Sequence, residues 1–306
     1  MRHIKKYSQI FERFTGDLTK KQIDFLDSGL KKLTDSWSIN RETGEVDVDG
    51  SFVKSSGKIT DLEGLNFGIV TGDFDLFLNP ISSLEGCPTS VCGEFDVASS
   101  EIKSLKGSPR FIGGDAVFND NSISSLDGSP EEVGGSLWLS DNKLETLKGV
   151  TQNIGYSLIV SNNGLTTLEG APKKVIGNFN CSYNRLKNLI GGPEIVEGSY
   201  SCMGMKLDSL EGAPREVGEY FILGDKDKPF EWSPKGKLGY VRDNPESAKL
   251  LIPTMKFEEI LDEVKENPSL MAALEYDEHL SDRVIKELGL DKMGPDLLRM
   301  IKNGLF

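Results

Sequence analysis

Few side chains in this chain could do covalent or metal chemistry: two histidines, His3 and His279, and four cysteines, Cys87, Cys92, Cys181 and Cys202. Most hydrolytic triads need a histidine, and most zinc sites need a His/Cys cluster. Cys87 and Cys92 stand as C-x4-C with no second pair of that kind nearby, so they read as buried thiols rather than as a zinc knuckle. Asp47, Asp49 and Gly50 suggest a calcium loop, but Ser56 stands where such a loop needs its last acidic ligand. His279, within YDEHLSD, reads as part of a solvated helical face. No G-x-S-x-G, P-loop or H-E-x-x-H motif occurs, and residues 225–306 hold no cysteine to serve as a thioester nucleophile. The expectation is a protein without catalysis, cofactor or metal.

Recognition by surface is then the remaining chemistry, and it needs elements that hold side chains in rows. The sequence supplies them by repetition. Leu-x-Gly occurs at Leu62, Leu84, Leu105, Leu126, Leu147, Leu168, Leu189 and Leu210, in steps of 22 and then 21 residues. LEGAPKKVIGNFNCSYNRLKN from Leu168 aligns with LDGSPEEVGGSLWLSDNKLET from Leu126. Apolar residues two apart, such as Leu137 and Leu139 or Phe179 and Cys181, face one side of a short strand, so each repeat is expected to offer one strand. Asparagine follows at Asn79, Asn121, Asn142, Asn163 and Asn184, with Ser100 and Met205 as exceptions. Stacked copies of an amide bonding to turn backbone would form a ladder. The return segment G-x-P-x-x-V-x-G is too broken for a helix and should be extended or turn-like.

The pattern in Phe179-Asn180-Cys181-Ser182-Tyr183-Asn184-Arg185-Leu186 resembles the leucine-rich repeat, of the short 20–21-residue kind found in bacterial effectors, over about Leu62 to Gly224. The GAP or GSP return, with Trp37-Ser-Ile-Asn and Glu45-Val-Asp-Val-Asp-Gly before the array and MRHIKKYSQIFERF at the start, resembles leucine-rich proteins of large bacteriophages. The resemblance implies a mainly β, α/β-type solenoid: a curved parallel-β array with helical N- and C-terminal caps, used for binding.

Bare solenoid ends would expose core and unpaired strand, so caps are expected on both sides. Residues 1–60 form the N-terminal one. Ile23, Phe25, Leu26, Leu30 and Leu33 lie near helical spacing behind a Thr19 cap, and Val46, Val48 and Phe52 alternate as a hairpin or edge strand. Residues 61–224 form an array of about eight repeats. Residues 225–306 read as a linker and a helical cap or small helical domain, with apolar residues at helical spacing from Phe257 to Ile301. No run of about 18 apolar residues occurs, and the first residues lack the apolar stretch of a secretory signal, so the expectation is a cytoplasmic protein without a membrane partner.

Because the repeat assigns the core positions, the residues between them can be read in columns on the concave face. One column holds Asp73, Glu94, Asp115, Ser136, Ser157, Asn178, Ser199 and Tyr220; the other holds Asp75, Asp96, Val117, Trp138, Ile159, Asn180, Ser201 and Ile222. Asp73, Asp75, Glu94, Asp96 and Asp115 make an acidic patch, beside which Val117, Trp138 and Ile159 lie on adjacent strands about 4.8 Å apart. The chain carries 35 Lys+Arg against 48 Asp+Glu, net −13, of which residues 61–224 contribute −11. That balance argues against a phosphate-held nucleic-acid complex and leaves open a protein partner with a basic surface. The reading is a binding scaffold without catalysis that a phage would use on a host protein in the cytoplasm; the alternatives are a virion component and an acidic decoy of a DNA-binding protein.

Overall fold

The computed structural model describes residues 18–208, 210–225, 228–232, 260, 264 and 278–287, and the chain divides into two units, Met1–Gly164 and Leu165–Phe306. Unit 1 opens with α1 (Lys20–Gly29), β1 (Ser36–Ile39), β2 (Val46–Asp49) and β3 (Phe52–Val53). Two-stranded coils follow: β4 (Phe67–Val70) with β5 (Phe74–Asp75), β6 (Ser90–Val91) with β7 (Phe95–Asp96), β8 (Phe111–Ile112) with β9 (Ala116–Val117), and β10 (Glu132–Val133) with β11 (Leu137–Trp138). The last strand of the unit is β12 (Leu158–Ile159). Strands β3, β5, β7, β9, β11 and β12 form one parallel sheet; β2, β4, β6, β8 and β10 form a second, which β1 enters by an antiparallel hairpin with β2.

Unit 2 repeats the plan. Strands β13 (Lys174–Val175), β15 (Ile195–Val196) and β17 (Glu216–Val217) form one parallel sheet. Strands β14 (Phe179–Asn180), β16 (Tyr200–Ser201) and β18 (Phe221–Asp225) form the other, and β19 (Lys228–Trp232) closes it antiparallel to β18. Helix α2 (Glu278–Glu287) lies further on. Most of the linker and the helical tail expected at 225–306 lies outside the described residues, as does the opening segment 1–17.

The solenoid is mainly β and its period is the one read from the anchors, but most coils carry two strands where one was expected; the coil of β12 joins the second sheet only through a bridge between Val133 and Ile154. The second strand is the return segment. Its valine or isoleucine faces inward: Val91, Ile112, Val133, Val175 and Val196 are all buried. In three coils a glycine follows directly and lets them approach: a Cβ on Gly113, Gly134 or Gly155 would sit 2.2, 2.3 or 2.0 Å from the carbonyl oxygen of the preceding coil. All eight Leu-x-Gly leucines are buried, worth about 1.5–3 kcal/mol each. Their glycines, Gly64 to Gly212, all have positive φ, and the residue after each donates its N–H to the leucine carbonyl, as Cys87 does to Leu84 at 3.1 Å. From Gly86 onward this is the type II turn, which needs glycine at its third position.

Asparagine rungs join the coils. Asn142 Nδ2 donates to Phe118 O at 2.9 Å in the preceding coil, and to Leu139 O and Ser140 O in its own, while its Oδ1 accepts Ile123 N–H at 2.9 Å. Asn121 and Asn163 repeat the arrangement, and in unit 2 Asn184 accepts Leu165 N–H. Asn79, the first rung, finds its partners in the non-repeating segment before it, at Lys54 O and Ile59 N. Ser100 leaves a gap, and its buried hydroxyl has no hydrogen-bond partner.

Helix α1 begins with the expected Thr19 cap in a full capping box with Gln22. It ends at Gly29, earlier than the spacing suggested, because the chain must turn to lay Leu30 against Phe52 in an antiparallel bridge. Leu33, expected on the helix's apolar face, is fully exposed. Gly29 is needed at the contact, since a Cβ there would lie 2.0 Å from the Phe52 ring. Asp47 and Asp49 bond to Ile69 N–H and the Thr71 hydroxyl of the next coil, so the apparent calcium loop is a strand connection.

Candidate functional site

Strand pairing puts Asp75, Asp96, Val117, Trp138 and Ile159 in register on consecutive strands of the first sheet of unit 1. Their neighbours Phe74, Phe95, Ala116, Leu137 and Leu158 are fully buried, so alternation turns this row to solvent. Val117, Trp138 and Ile159 are half-buried. Trp138 Nε1–H donates to Asp115 Oδ2 at 3.3 Å, which fixes the indole and uses its polar edge.

The second column differs from the free surface that the sequence suggested. The side chains of Asp73, Asp115, Ser136 and Asn178 turn down onto the backbone of the next coil. Ser51 Oγ accepts Asp73 N–H, Asp73 Oδ1 accepts Glu94 N–H, Asp115 Oδ1 accepts Ser136 N–H, and Ser136 Oγ accepts Ser157 N–H. In unit 2, Asn178 does the same for Ser199 N–H. The preceding glycine makes room: a Cβ on Gly93 or Gly135 would meet Asp73 or Asp115 Oδ1 at 2.3 or 2.2 Å. Ser136 and Ser157 are consequently buried, not exposed.

The five carboxylates therefore have different environments. Asp73 also takes Lys31 Nζ at 3.1 Å. Burial pushes its carboxyl up, but the Lys31 bond, the Glu94 N–H and the charges of Lys31 and Lys32 outweigh this and leave it below its ordinary value. Asp75 and Asp96 each use Oδ1 to accept the N–H two residues on, from Phe77 and Ala98, both at 2.8 Å. Burial raises the Asp96 carboxyl, the Ala98 N–H opposes this, and Asp75 adds to the rise. Glu94 is raised by burial and then by the charges of Asp96, Asp115, Asp73 and Asp75. Among the described residues no Lys or Arg forms an ion pair with Asp75, Glu94 or Asp96.

Of the thiols, Cys87, Cys181 and Cys202 are buried, and burial pushes Cys87 and Cys181 up to about 12. Cys92 is exposed, contrary to expectation, because it sits at the close-packed corner where Gly113 and Gly134 follow in later coils and leave no interior for a side chain. Among the described residues no group of His, Cys, Asp and Glu has the arrangement to hold a metal ion.

The unforeseen second sheet adds surface that the columns did not cover. Ile69, Ser90, Phe111 and Glu132 form its outward row, with Ile69 and Phe111 exposed and the Arg110 guanidinium 5.5 Å from the Phe111 ring centroid. A groove of about 350 Å³ runs beside it, lined by Glu45, Phe67, Pro88, Thr89, Ser108 and Arg110 among others. The signal for this face was the valine of P-x-x-V, whose neighbours alternate outward.

Comparison with known protein families, curated proteins and solved structures finds no match to this chain. No helix among the described residues is long and apolar enough to cross a membrane.

Proposed function

We propose that this protein is a non-catalytic protein-binding scaffold that engages its partner through the outward row of the first sheet of unit 1. The observation that carries this reading is the placement of Trp138 between Val117 and Ile159, in register and facing solvent, with its indole held by Asp115. A fixed aromatic flanked by aliphatic side chains is the arrangement of a binding anchor, and solubility gives no reason for it. Asp75, Glu94 and Asp96 supply the electrostatic border, which acts chiefly on association rate. The high thiol pKa values at Cys87 and Cys181 support a role without thiolate chemistry at those positions. The narrower form of the proposal, a phage-encoded modulator of a host bacterial protein, rests on the resemblance of the Gly-Pro return.

The test is affinity capture from bacterial lysate with the parent chain and with Trp138→Ala. The captured partner should bind the variant more than about tenfold more weakly, since an anchor of this kind contributes ~2–4 kcal/mol. Equal binding by a variant with unchanged circular dichroism would remove this face as the contact site.

A further inference from the structure

The outward row is chemically unequal from one end to the other. At β5 and β7 it is anionic, with Asp75, Asp96 and the adjoining Glu94 lacking any ion pair among the described residues. At β9, β11 and β12 it is apolar, with Val117, Trp138 and Ile159. Asp115, between the two parts, is occupied by Trp138 Nε1 and Ser136 N–H, so the indole offers its apolar ring rather than its N–H. The strip is also narrow. At Trp138 the neighbours on both sides, Ser136 and Ser140, are buried, and Ser157 is buried beside Ile159, while Asp115, Asn119 and Ser161 are half-buried.

From β5 to β12 there are four strand-to-strand steps of about 4.8 Å, or roughly 19 Å, which about six residues of extended chain span at ~3.3 Å each. Side chains on one side of such a segment recur every ~6.6 Å, so three of them face the strip. We infer that the occupant of this face is an extended basic peptide segment lying across the strands, with two cationic side chains over Asp75, Glu94 and Asp96 and an apolar one against Trp138. This rests on the reading of the row as a contact surface. Charge complementarity selects the cations, since the three carboxylates repel one another and form no ion pair among the described residues. The narrowness of the row at Trp138 selects a strand rather than a broad folded surface.

The probe is a fluorescently labelled Arg-Ser-Arg-Ser-Leu-Ser peptide, with its reverse-order copy and a copy in which citrulline replaces both arginines. At low salt, the better of the two arginine orders should bind the parent chain at least about tenfold more tightly than the citrulline copy. The double variant Asp75→Asn, Asp96→Asn keeps both Oδ1 acceptors for the Phe77 and Ala98 N–H groups, and so keeps the local fold while losing the charge. It should lose most of that preference, and Trp138→Ala and Trp138→Phe should each weaken the arginine probe. Citrulline binding as tight as arginine, undiminished binding by the Asn double variant, or no binding of either arginine order at millimolar concentration would each overturn the inference. Partner capture that depends on Trp138 but ignores the Asn double variant would refute the basic segment alone and leave the contact surface standing.

Discussion

Replacing Ser100 by asparagine should make the protein more stable, although it inserts a larger polar side chain at a buried site. At Asn142 the rung has four partners: Phe118 O, Leu139 O, Ser140 O and Ile123 N. The equivalents around position 100 are Leu76 O, Val97 O, Ala98 O and Ile81 N, and the rungs in the flanking coils, Asn79 and Asn121, are formed. Leu76 O and Val97 O already each accept one asparagine amide, as Phe118 O does before it takes its second. An intramolecular hydrogen bond nets about 0.5–1.5 kcal/mol, and an unsatisfied buried hydroxyl costs about 1–3 kcal/mol. After the ~1 kcal/mol for ordering the amide, S100N should gain about 1–3 kcal/mol. Urea titration followed by circular dichroism reads this as a higher midpoint at unchanged slope. Ser100→Ala, which removes the orphan hydroxyl, should be neutral or mildly stabilising. Loss of stability in S100N, or a loss beyond ~1 kcal/mol in S100A, would refute the view that the ladder has an empty rung here.

Gly134→Ala should cost more than about 2 kcal/mol in the same titration, because its Cβ meets a backbone oxygen that cannot yield, whereas Gly44→Ala, at positive φ with nothing within 4 Å, should cost about 1 kcal/mol. Glu94→Gln should stabilise at pH 7: the Glu94 carboxyl is raised in the fold, so its ionised form is disfavoured there, and the gain should fade as pH falls through that raised value and vanish below the unfolded value of about 4.3, where both chains are neutral at this site. The opposite sign applies to Asp73, whose lowered carboxyl stabilises above the unfolded value and loses that contribution as pH falls through its folded value, so Asp73→Asn should destabilise at pH 7. With a thiol reagent at pH 8, Cys92 should react quickly, and the buried Cys87, Cys181 and Cys202 only after unfolding, as mass spectrometry of the labelled peptides will show.

The parts of this fold that were readable from sequence are those in which one residue type does one job in coil after coil. Leucine before a left-handed glycine and asparagine at the corner keep a strict phase, so the anchors, the rungs and the Trp138 row emerge from alignment of the chain with itself. The second strand did not emerge because its return segment lies between proline and glycine and turns one apolar residue inward, so it lacks the apolar pair two residues apart that marks the first strand. The column beginning at Asp73 was misread for a different reason. Aspartate, serine and asparagine there look like solvated surface, yet Asp73, Asp115, Ser136 and Asn178 accept a backbone N–H from the following coil, a role visible only once the glycine before the next member is seen to clear its path. Of the candidate site, that leaves Asp75, Glu94 and Asp96 as the carboxylates not already engaged across coils.

The asparagine rungs also give the array a direction. Each amide reaches toward the N-terminus for its inter-coil partners, and Asn79 ends the series on Lys54 and Ile59, with Gly57 leaving the space, since a Cβ there would lie 2.7 Å from Asn79 Oδ1. A chain emerging from the ribosome thus completes each receptor before the coil that docks on it has been made. For the rungs, synthesis and assembly run the same way, and no asparagine waits for a partner still to be translated.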